Sequence, residues 1–326
     1  MKKKLGIVGA GGFFGLSFVD AFLAGDLDAF GIDKLVLISR SQSLRLSKLS
    51  QSFPKKLLFI QSDISALEIL PSCNFWLHFA TSSSIQRYQK NPELEFENNT
   101  HNLKYFMKLV AKSKEVCSVL FASSGAVYEQ SLGGLSETSP LIKKTSILHP
   151  DTAYAQSKLL GEQMVEASAR EIGINYSIAR CFAFCGFHLP LSSHFAVGNF
   201  VRDIIESRQI NVKAPHPVYR SYLHTDDLVR WFMVMLSDAR ASGHIFNVGA
   251  ADAVSLRDLA EALANHFDGS TKLPNTDAEY HSHVPTSYFP DVAKAKMLLD
   301  LEQSESTVKA VIRMAQMIKR PQTSSS

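Results

Sequence analysis

"LGIVGAGGFFG", residues 5–15, runs a short apolar stretch straight into a turn carrying four glycines within seven positions. Gly9, Gly12 and Gly15 repeat at intervals of three. Glycine in such a turn permits a tight reversal, lets backbone N–H groups approach a pyrophosphate, and allows a helix to pack closely on a sheet. A glycine pattern alone is weak; its place between a strand and a helix gives it force. The stretch reads as the first βα turn of a dinucleotide-binding sheet, with Gly9, Gly12, Phe13, Phe14 and Gly15 against the cofactor. The rival reading is a leader peptide, since "MKKK" precedes an apolar run. Clustered glycines and Asp20 argue against that.

Outward from the turn, similar runs recur: "LVLI" (35–38), "LLFI" (57–60), "FWLHFA" (75–80), "SVLFA" (118–122) and "NYSIA" (175–179). Each is nearly continuous in apolar character, as a strand covered on both faces should be. Amphipathic segments at 97–114 and 155–172 lie between them. The alternation predicts an α/β fold, a doubly wound parallel Rossmann sheet over residues 1–180. After Arg180 the chain becomes rich in Pro, Gly and aromatics, and 181–326 is expected to form mainly a smaller substrate lobe, with about 220–240 returning to the Rossmann domain. Helices are expected at 255–267 and over Ala293 to Leu299, the latter capped by Asp291, and "QTSSS" at the end reads as disordered.

Composition narrows the function. The chain has 326 residues, 45% hydrophobic and 20% charged, with a formal net charge of +3. No basic stripe interleaved with aromatics occurs, so nucleic acid is not expected as a partner. No segment reaches the ~20 apolar residues of a membrane span. Cys73, Cys117, Cys181 and Cys185 are dispersed, which fits reduced thiols and a cytoplasmic protein.

Strand ends locate the chemistry, because the carboxyl edge of such a sheet faces the ligand crevice. The second strand ends in Ser39 and Arg40 rather than a carboxylate. An arginine there pairs with a 2′-phosphate, so NADP(H) is the expected cofactor and NAD the alternative. Otherwise Arg40 is a solvated loop cation. Asp63 follows the third strand, placed either to accept from an adenine amino group or to cap a helix. "HFAT" (78–81) ends the fourth, where small residues let a cofactor lie against the backbone; His78 itself reads as a hydrogen-bonded core histidine.

The fifth strand runs into "ASSGAVY" (122–128), and "YAQSK" (154–158) follows. Tyr154 and Lys158 stand at i, i+4, on one helical face. A free phenol, with a pKa near ~10, is too basic for efficient proton transfer at neutral pH, and a nearby ammonium lowers it. With a serine hydroxyl to polarise a substrate oxygen, the set suits hydride transfer; the bland alternative is a surface pair.

Taken together, "GAGGFFG", "SDI", "HFAT", "ASSGAVY", "YAQSK", "RCFAFCG" and "RSYLHTDDL" resemble, in order and over most of the chain, an extended short-chain dehydrogenase/reductase of the NAD-dependent epimerase/dehydratase family acting on nucleotide sugars. The resemblance implies Ser124 rather than Ser123 as the catalytic hydroxyl, with Tyr154 and Lys158. It adds Ile64, Phe79, Ala80, Thr81, Ala122 and Phe182 to the cofactor wall, and Asn199 and Arg220 as holders of a nucleotide diphosphate beside Ser124 and Tyr154. It also implies a homodimer through the segments 97–114 and 155–172.

Departures from the family pattern constrain the reaction. Sugar dehydratases carry Asp-Glu after the catalytic hydroxyl residue, whereas this chain has Gly125 and Ala126. Keto-sugar reduction or C4 epimerisation remains, and Arg40 favours reduction. Cys181, Cys185 and His194 are weighed as acid/base groups for a 3,5-epimerase, with the cysteines reading better as buried hydrophobes. Ala183 replaces a usual Asn, and "HSH" (281–283) stands near a frequent arginine site; no metal is expected. The alternatives are a small-carbonyl reductase on the same fold, and a dinucleotide-sensing protein without catalysis. Arg220 could instead pair with Asp226 or Asp227.

Overall fold

The computed structural model describes residues 2–319, apart from Ser83, Lys144, Ser146, Ile147, Ser192 to His194, Ser207, Arg208 and Asn275. The stretch "QTSSS" and His194 therefore lie outside the described residues.

Seven parallel strands form the central sheet: β1 (Lys3–Val8), β2 (Ile32–Ser39), β3 (Leu57–Gln61), β4 (Phe75–His78), β5 (Ser118–Ser124), β6 (Asn175–Cys181) and β7 (His244–Val248). Their spatial order is β3-β2-β1-β4-β5-β6-β7, so the winding reverses between β1 and β4. All six expected strands are present. The fourth stops at His78, because the Thr81 N–H turns back to the Phe79 carbonyl at 2.8 Å and takes the chain off the sheet.

The apolar runs are explained by cover on both faces. On one face, helices Phe13–Ala24 and Thr225–Ser237 bury Phe18, Val19, Trp231 and Phe232 against Leu5, Ile7 and Leu37. On the other, helices Pro92–Lys112 and Pro150–Ile172 bury Phe106, Val110, Val165 and Ala169 against Trp76, Val119 and Ile178. Both of these helices begin five residues before the expected segments. Each has proline at its first turn, where the missing N–H costs nothing. Asn91 caps the first, accepting the Leu94 N–H at 3.0 Å. Gly173, in the left-handed region at φ 72°, ends the second. Gly161 keeps the helix pair close, since a Cβ there would stand 2.9 Å from Leu103 and 2.7 Å from Phe121.

After β6 the chain alternates between layers. Helices Ala196–Ile205, Leu256–His266 and Thr307–Lys319 enclose a separate apolar cluster of Phe200, Leu259, Leu263, Val311 and Met314. Strands Val254–Ser255, Val218–Arg220 and Thr286–Tyr288 make a small sheet beside it, with Tyr288 in register with Arg220. Between these segments, helix Thr225–Ser237 and β7 belong to the central sheet layer. Helix Ala293–Leu299 forms as expected, and Asp291 accepts the Ala293 N–H at 2.8 Å.

Candidate active site

The glycine turn lies at the winding reversal, where the connections leaving paired strands β1 and β4 go to opposite faces of the sheet and leave a crevice. Gly9 has φ +91°, and a Cβ on it would stand 2.7 Å from the Ala80 backbone nitrogen. Only glycine fits that approach. Gly12 ends the turn as the N-cap of helix Phe13–Ala24 and lines the crevice, with no side-chain cap, so the first N–H groups of that helix have no capping side chain. This is the arrangement that a pyrophosphate would fill. Gly15 acts in packing: a Cβ there would meet the Ala10 carbonyl oxygen at 2.4 Å.

A cavity of about 360 Å³ runs from this turn along the strand ends, and Gly9, Gly12, Ser39, Arg40, Asp63 and Ile64 line it together with Phe79, Ala80 and Thr81. Asp63 both caps a short turn, accepting the Ser65 N–H at 3.0 Å, and pairs with Arg40 at 3.8 Å. Phe13 and Phe14 do not line the cavity. The Phe14 ring packs edge-on against Phe79, Phe184 and Phe232.

Sequence reading missed the opposite wall, where Glu95, Asn98, Asn99 and Asn102 from helix Pro92–Lys112, and Arg87, line the same cavity. The signal was present: 95, 98, 99 and 102 follow i, i+3, i+4, i+7, a polar stripe on one helical face.

Beyond Thr81 the catalytic candidates converge. Lys158 is buried, and its Nζ donates to Thr81 Oγ1 at 2.8 Å and to the Ala122 carbonyl at 2.6 Å. The same Nζ lies 5.7 Å from the centre of the Tyr154 ring. The Ser124 hydroxyl accepts the Ala126 N–H at 3.2 Å and stands near enough to the Tyr154 phenol to favour its ionised form. Adjacent Ser123 points the other way and donates to Glu162 Oε1 at 2.5 Å, which leaves Ser124 as the hydroxyl in the site. Ala122 and Phe182 flank it. The surface-pair reading of Tyr154 and Lys158 fails on burial.

The electrostatics differ from the sequence expectation. Burial pushes the Tyr154 phenol well above its ordinary value, with the Ser124 hydroxyl pulling down. Burial is thus the largest influence on the phenol, ahead of any nearby ammonium. Burial also brings the Lys158 ammonium down to about 8, with Cys181 and Glu162 opposing. Both charged forms are disfavoured by the dry surroundings.

Glu162, one turn beyond Lys158, forms a buried bidentate pair with Arg180 at 2.7 and 3.0 Å. Arg180 also donates to the Tyr128 hydroxyl at 3.0 Å, and Tyr128 donates to Asn247 at 2.7 Å. This network ties the helix bearing Tyr154 and Lys158 to β5, β6 and β7.

Cys181 and Cys185 are buried, and burial pushes the Cys181 thiol up to about 12 and Cys185 well above its ordinary value, which suits neither to acid/base work. His78 packs between Phe106 and Phe121, and burial takes it down to about 3. It is a core histidine, but its ring nitrogens find no partner among the described residues, so the hydrogen-bonded part of that expectation is corrected. Arg220 pairs with neither candidate aspartate: Asp226 is paired with Arg313, and Asp227 with Arg230 at 2.8 Å. Its guanidinium lies 5.6 Å from the centre of the Tyr288 ring. Asn199 lines a second cavity, of about 620 Å³, in the C-terminal lobe with Arg202, Asp203, Lys213 and Lys272. His281 and His283 are exposed, and no metal-binding cluster occurs among the described residues. No described helix is long and apolar enough to cross a membrane.

Comparison with known proteins agrees with this geometry. UDP-glucose 4-epimerase of Streptococcus mutans is 24% identical over 95% of this chain and 94% of its own. UDP-glucuronate 4-epimerase 4 of Arabidopsis thaliana is 22% identical over 66% of this chain and 53% of its own. Among solved structures, UDP-glucose 4-epimerase from Thermotoga maritima with UDP-glucose has a TM-score of 0.77 at 19% identity, covering 96% of this chain and 97% of that one. UDP-glucuronic acid 4-epimerase from Bacillus cereus, in complex with UDP-glucuronic acid and NAD, has 0.77 at 19% identity, covering 97% and 99%. The sequence model of the NAD dependent epimerase/dehydratase family matches residues 5–249, and the chain, with its glycine turn at the sheet's winding reversal, belongs to that family.

Proposed function

We propose that the protein transfers hydride at a carbon of a nucleotide-linked sugar, by keto-sugar reduction or C4 epimerisation. The observation that carries this reading is the convergence of Ser124, Tyr154 and Lys158 beside the glycine-turn crevice, with a second, cation-bearing cavity in the adjoining lobe. When bound, the nicotinamide supplies the hydride donor and acceptor. Ser124 orients the sugar oxygen, Tyr154 moves the proton at that oxygen, and Lys158 holds the nicotinamide ribose from its place beside Thr81 and Ala122. Asn199 and Arg220 hold the diphosphate, and the 620 Å³ cavity takes the nucleoside. Dehydration does not suit the site, because Gly125 and Ala126 offer no acid or base.

The cofactor preference we infer is NADP(H). Arg40 lines the cofactor cavity with its side chain 59% exposed and only a long pair to Asp63, so it is free to turn toward a 2′-phosphate. The chain is read as a cytoplasmic homodimer. Unpaired Cys73, Cys117, Cys181 and Cys185 fit a reducing compartment, and the paired helices Pro92–Lys112 and Pro150–Ile172 form one flank that a second copy would cover. A monomer by light scattering would refute the dimer. The main reading is tested by incubating the protein with a panel of nucleotide sugars and either cofactor and identifying products by mass spectrometry. Turnover of a nucleotide sugar is expected. Turnover confined to small carbonyl compounds would favour the simpler reductase.

A further inference from the structure

Glu95 stands in the first turn of helix Pro92–Lys112, is 8% exposed, and lines the crevice of the glycine turn. Among the described residues its carboxylate accepts no hydrogen bond and joins no ion pair. Arg87 lines the same wall, is exposed, and forms no ion pair with it. A buried carboxylate without a donor is costly, and such a group persists where something bound completes it.

Its neighbours place Glu95 at the catalytic end of the crevice. One turn along the same helical face, Asn99 accepts the Ser82 N–H at 3.2 Å and donates to the Tyr88 hydroxyl. Ser82 follows Thr81, which accepts from Lys158. The Tyr88 ring stands edge-on to Tyr154, with centroids 5.7 Å apart. Burial pushes the Tyr88 phenol up to about 12, and the charge of Glu95 adds to that rise. Arg40 and Asp63 line the crevice farther off, at the ends of β2 and β3, beyond β1.

A dinucleotide offers this carboxylate one charge of opposite sign. The pyrophosphate repels it, and the riboses and adenine are neutral. The nicotinamide ring is cationic when oxidised and neutral when reduced. Every other charge of the cofactor, a 2′-phosphate included, is the same in the two states. The influence of Glu95 on those charges therefore cancels between the states, and its attraction for the ring remains. The Lys158 ammonium, buried beside Thr81, acts in the opposite sense.

We propose that Glu95 is a specificity-determining residue that shifts the crevice toward the oxidised form of the nicotinamide cofactor. The inference rests on the hydride-transfer reading above and deepens it. Tight hold on the oxidised form favours C4 epimerisation over net keto-sugar reduction. In epimerisation the sugar loses a hydride to the nicotinamide and its hydroxyl proton to Tyr154, then takes both back, and the cofactor ends as it began.

Binding of both redox forms to the full-length protein tests this without any sugar. Dissociation constants for NADP+ and NADPH, and for NAD+ and NADH, are measured by calorimetric titration. Glu95→Gln keeps the size of the side chain and removes its charge. It is expected to move the ratio of the two constants about tenfold toward the reduced form, in both cofactor pairs. Glu95→Asp keeps the charge and should move the ratio less than about threefold. An equal change for both redox forms in Glu95→Gln, as loss of a hydroxyl contact or of packing would give, overturns the proposal; so does an unchanged ratio. The wild type alone supplies a second check. It is expected to bind the oxidised form at least as tightly as the reduced one, and a preference for the reduced form of more than about tenfold would overturn the proposal. A shifted ratio without turnover of any nucleotide sugar would support the role of Glu95 and count against the function proposed above. Turnover with an unshifted ratio would do the reverse, and a wild type that binds neither form would remove both.

Discussion

At the residue scale, burial sets the pH behaviour of the site. The Lys158 ammonium is held at about 8, below its ordinary 10.5. A lysine lowered on folding binds its proton less tightly in the native state, so native stability rises with pH between about 8 and 10.5 and is lower below that window. The penalty at neutral pH is about 3 kcal/mol. Lys158→Met should flatten that rise, which thermal melts of both proteins across the window would show. A parallel rise in the two proteins would contradict it. Removing the phenol acts on chemistry instead: Tyr154→Phe should lower kcat by about 10²–10⁴-fold without unfolding the protein. The shared face of Tyr154 and Lys158 was legible from helical spacing, whereas the choice of Ser124 over Ser123 came from the family resemblance. The approach of Tyr288 to Gly125 and Phe182 was not legible, because nothing local in "TSYFP" (286–290) says that it crosses from the far lobe.

At the element scale, the strand–turn–helix unit and the catalytic helix each depend on a tight contact. Gly9→Ala would force a side chain into the left-handed region and against the Ala80 backbone. Loss of dinucleotide binding is expected, measured by calorimetric titration; wild-type affinity would contradict the role given to the turn. The catalytic helix is fixed by the Glu162–Arg180 pair. Glu162→Gln leaves a buried guanidinium without its counter-charge and should destabilise the protein by about 3–5 kcal/mol in denaturant unfolding. The alternation of apolar runs gave the strands to within three residues at each end, since strands covered on both faces leave a nearly unbroken apolar signature. Helix starts were misplaced by five residues because the caps are a proline and its neighbour, outside the amphipathic period. The polar stripe from Glu95 to Asn102 was overlooked although its spacing was plain.

At the scale of the whole molecule, one cavity lies at the sheet's winding reversal and reaches Thr81, the hydrogen-bond partner of Lys158, and another lies in the C-terminal lobe. The lobe's segments are discontinuous in sequence, and β7 returns to the central sheet after the chain has already contributed to the lobe. Such threading depends on long-range packing that no local pattern encodes. Arg40 marks the outer end of the first cavity, and Arg40→Ala should weaken NADP at least about tenfold while leaving NAD unchanged; equal losses for both would remove the 2′-phosphate reading. The central claim is that Ser124, Tyr154 and Lys158 carry the proton transfer and positioning that accompany hydride transfer at a nucleotide-linked sugar. Turnover of a nucleotide-sugar panel by wild type and Tyr154→Phe, followed by mass spectrometry and NMR of the sugar product, tests it most directly. The expected result is a reduced or C4-inverted sugar from the wild type and at least a hundredfold less from the variant; equal turnover by the two proteins would contradict it.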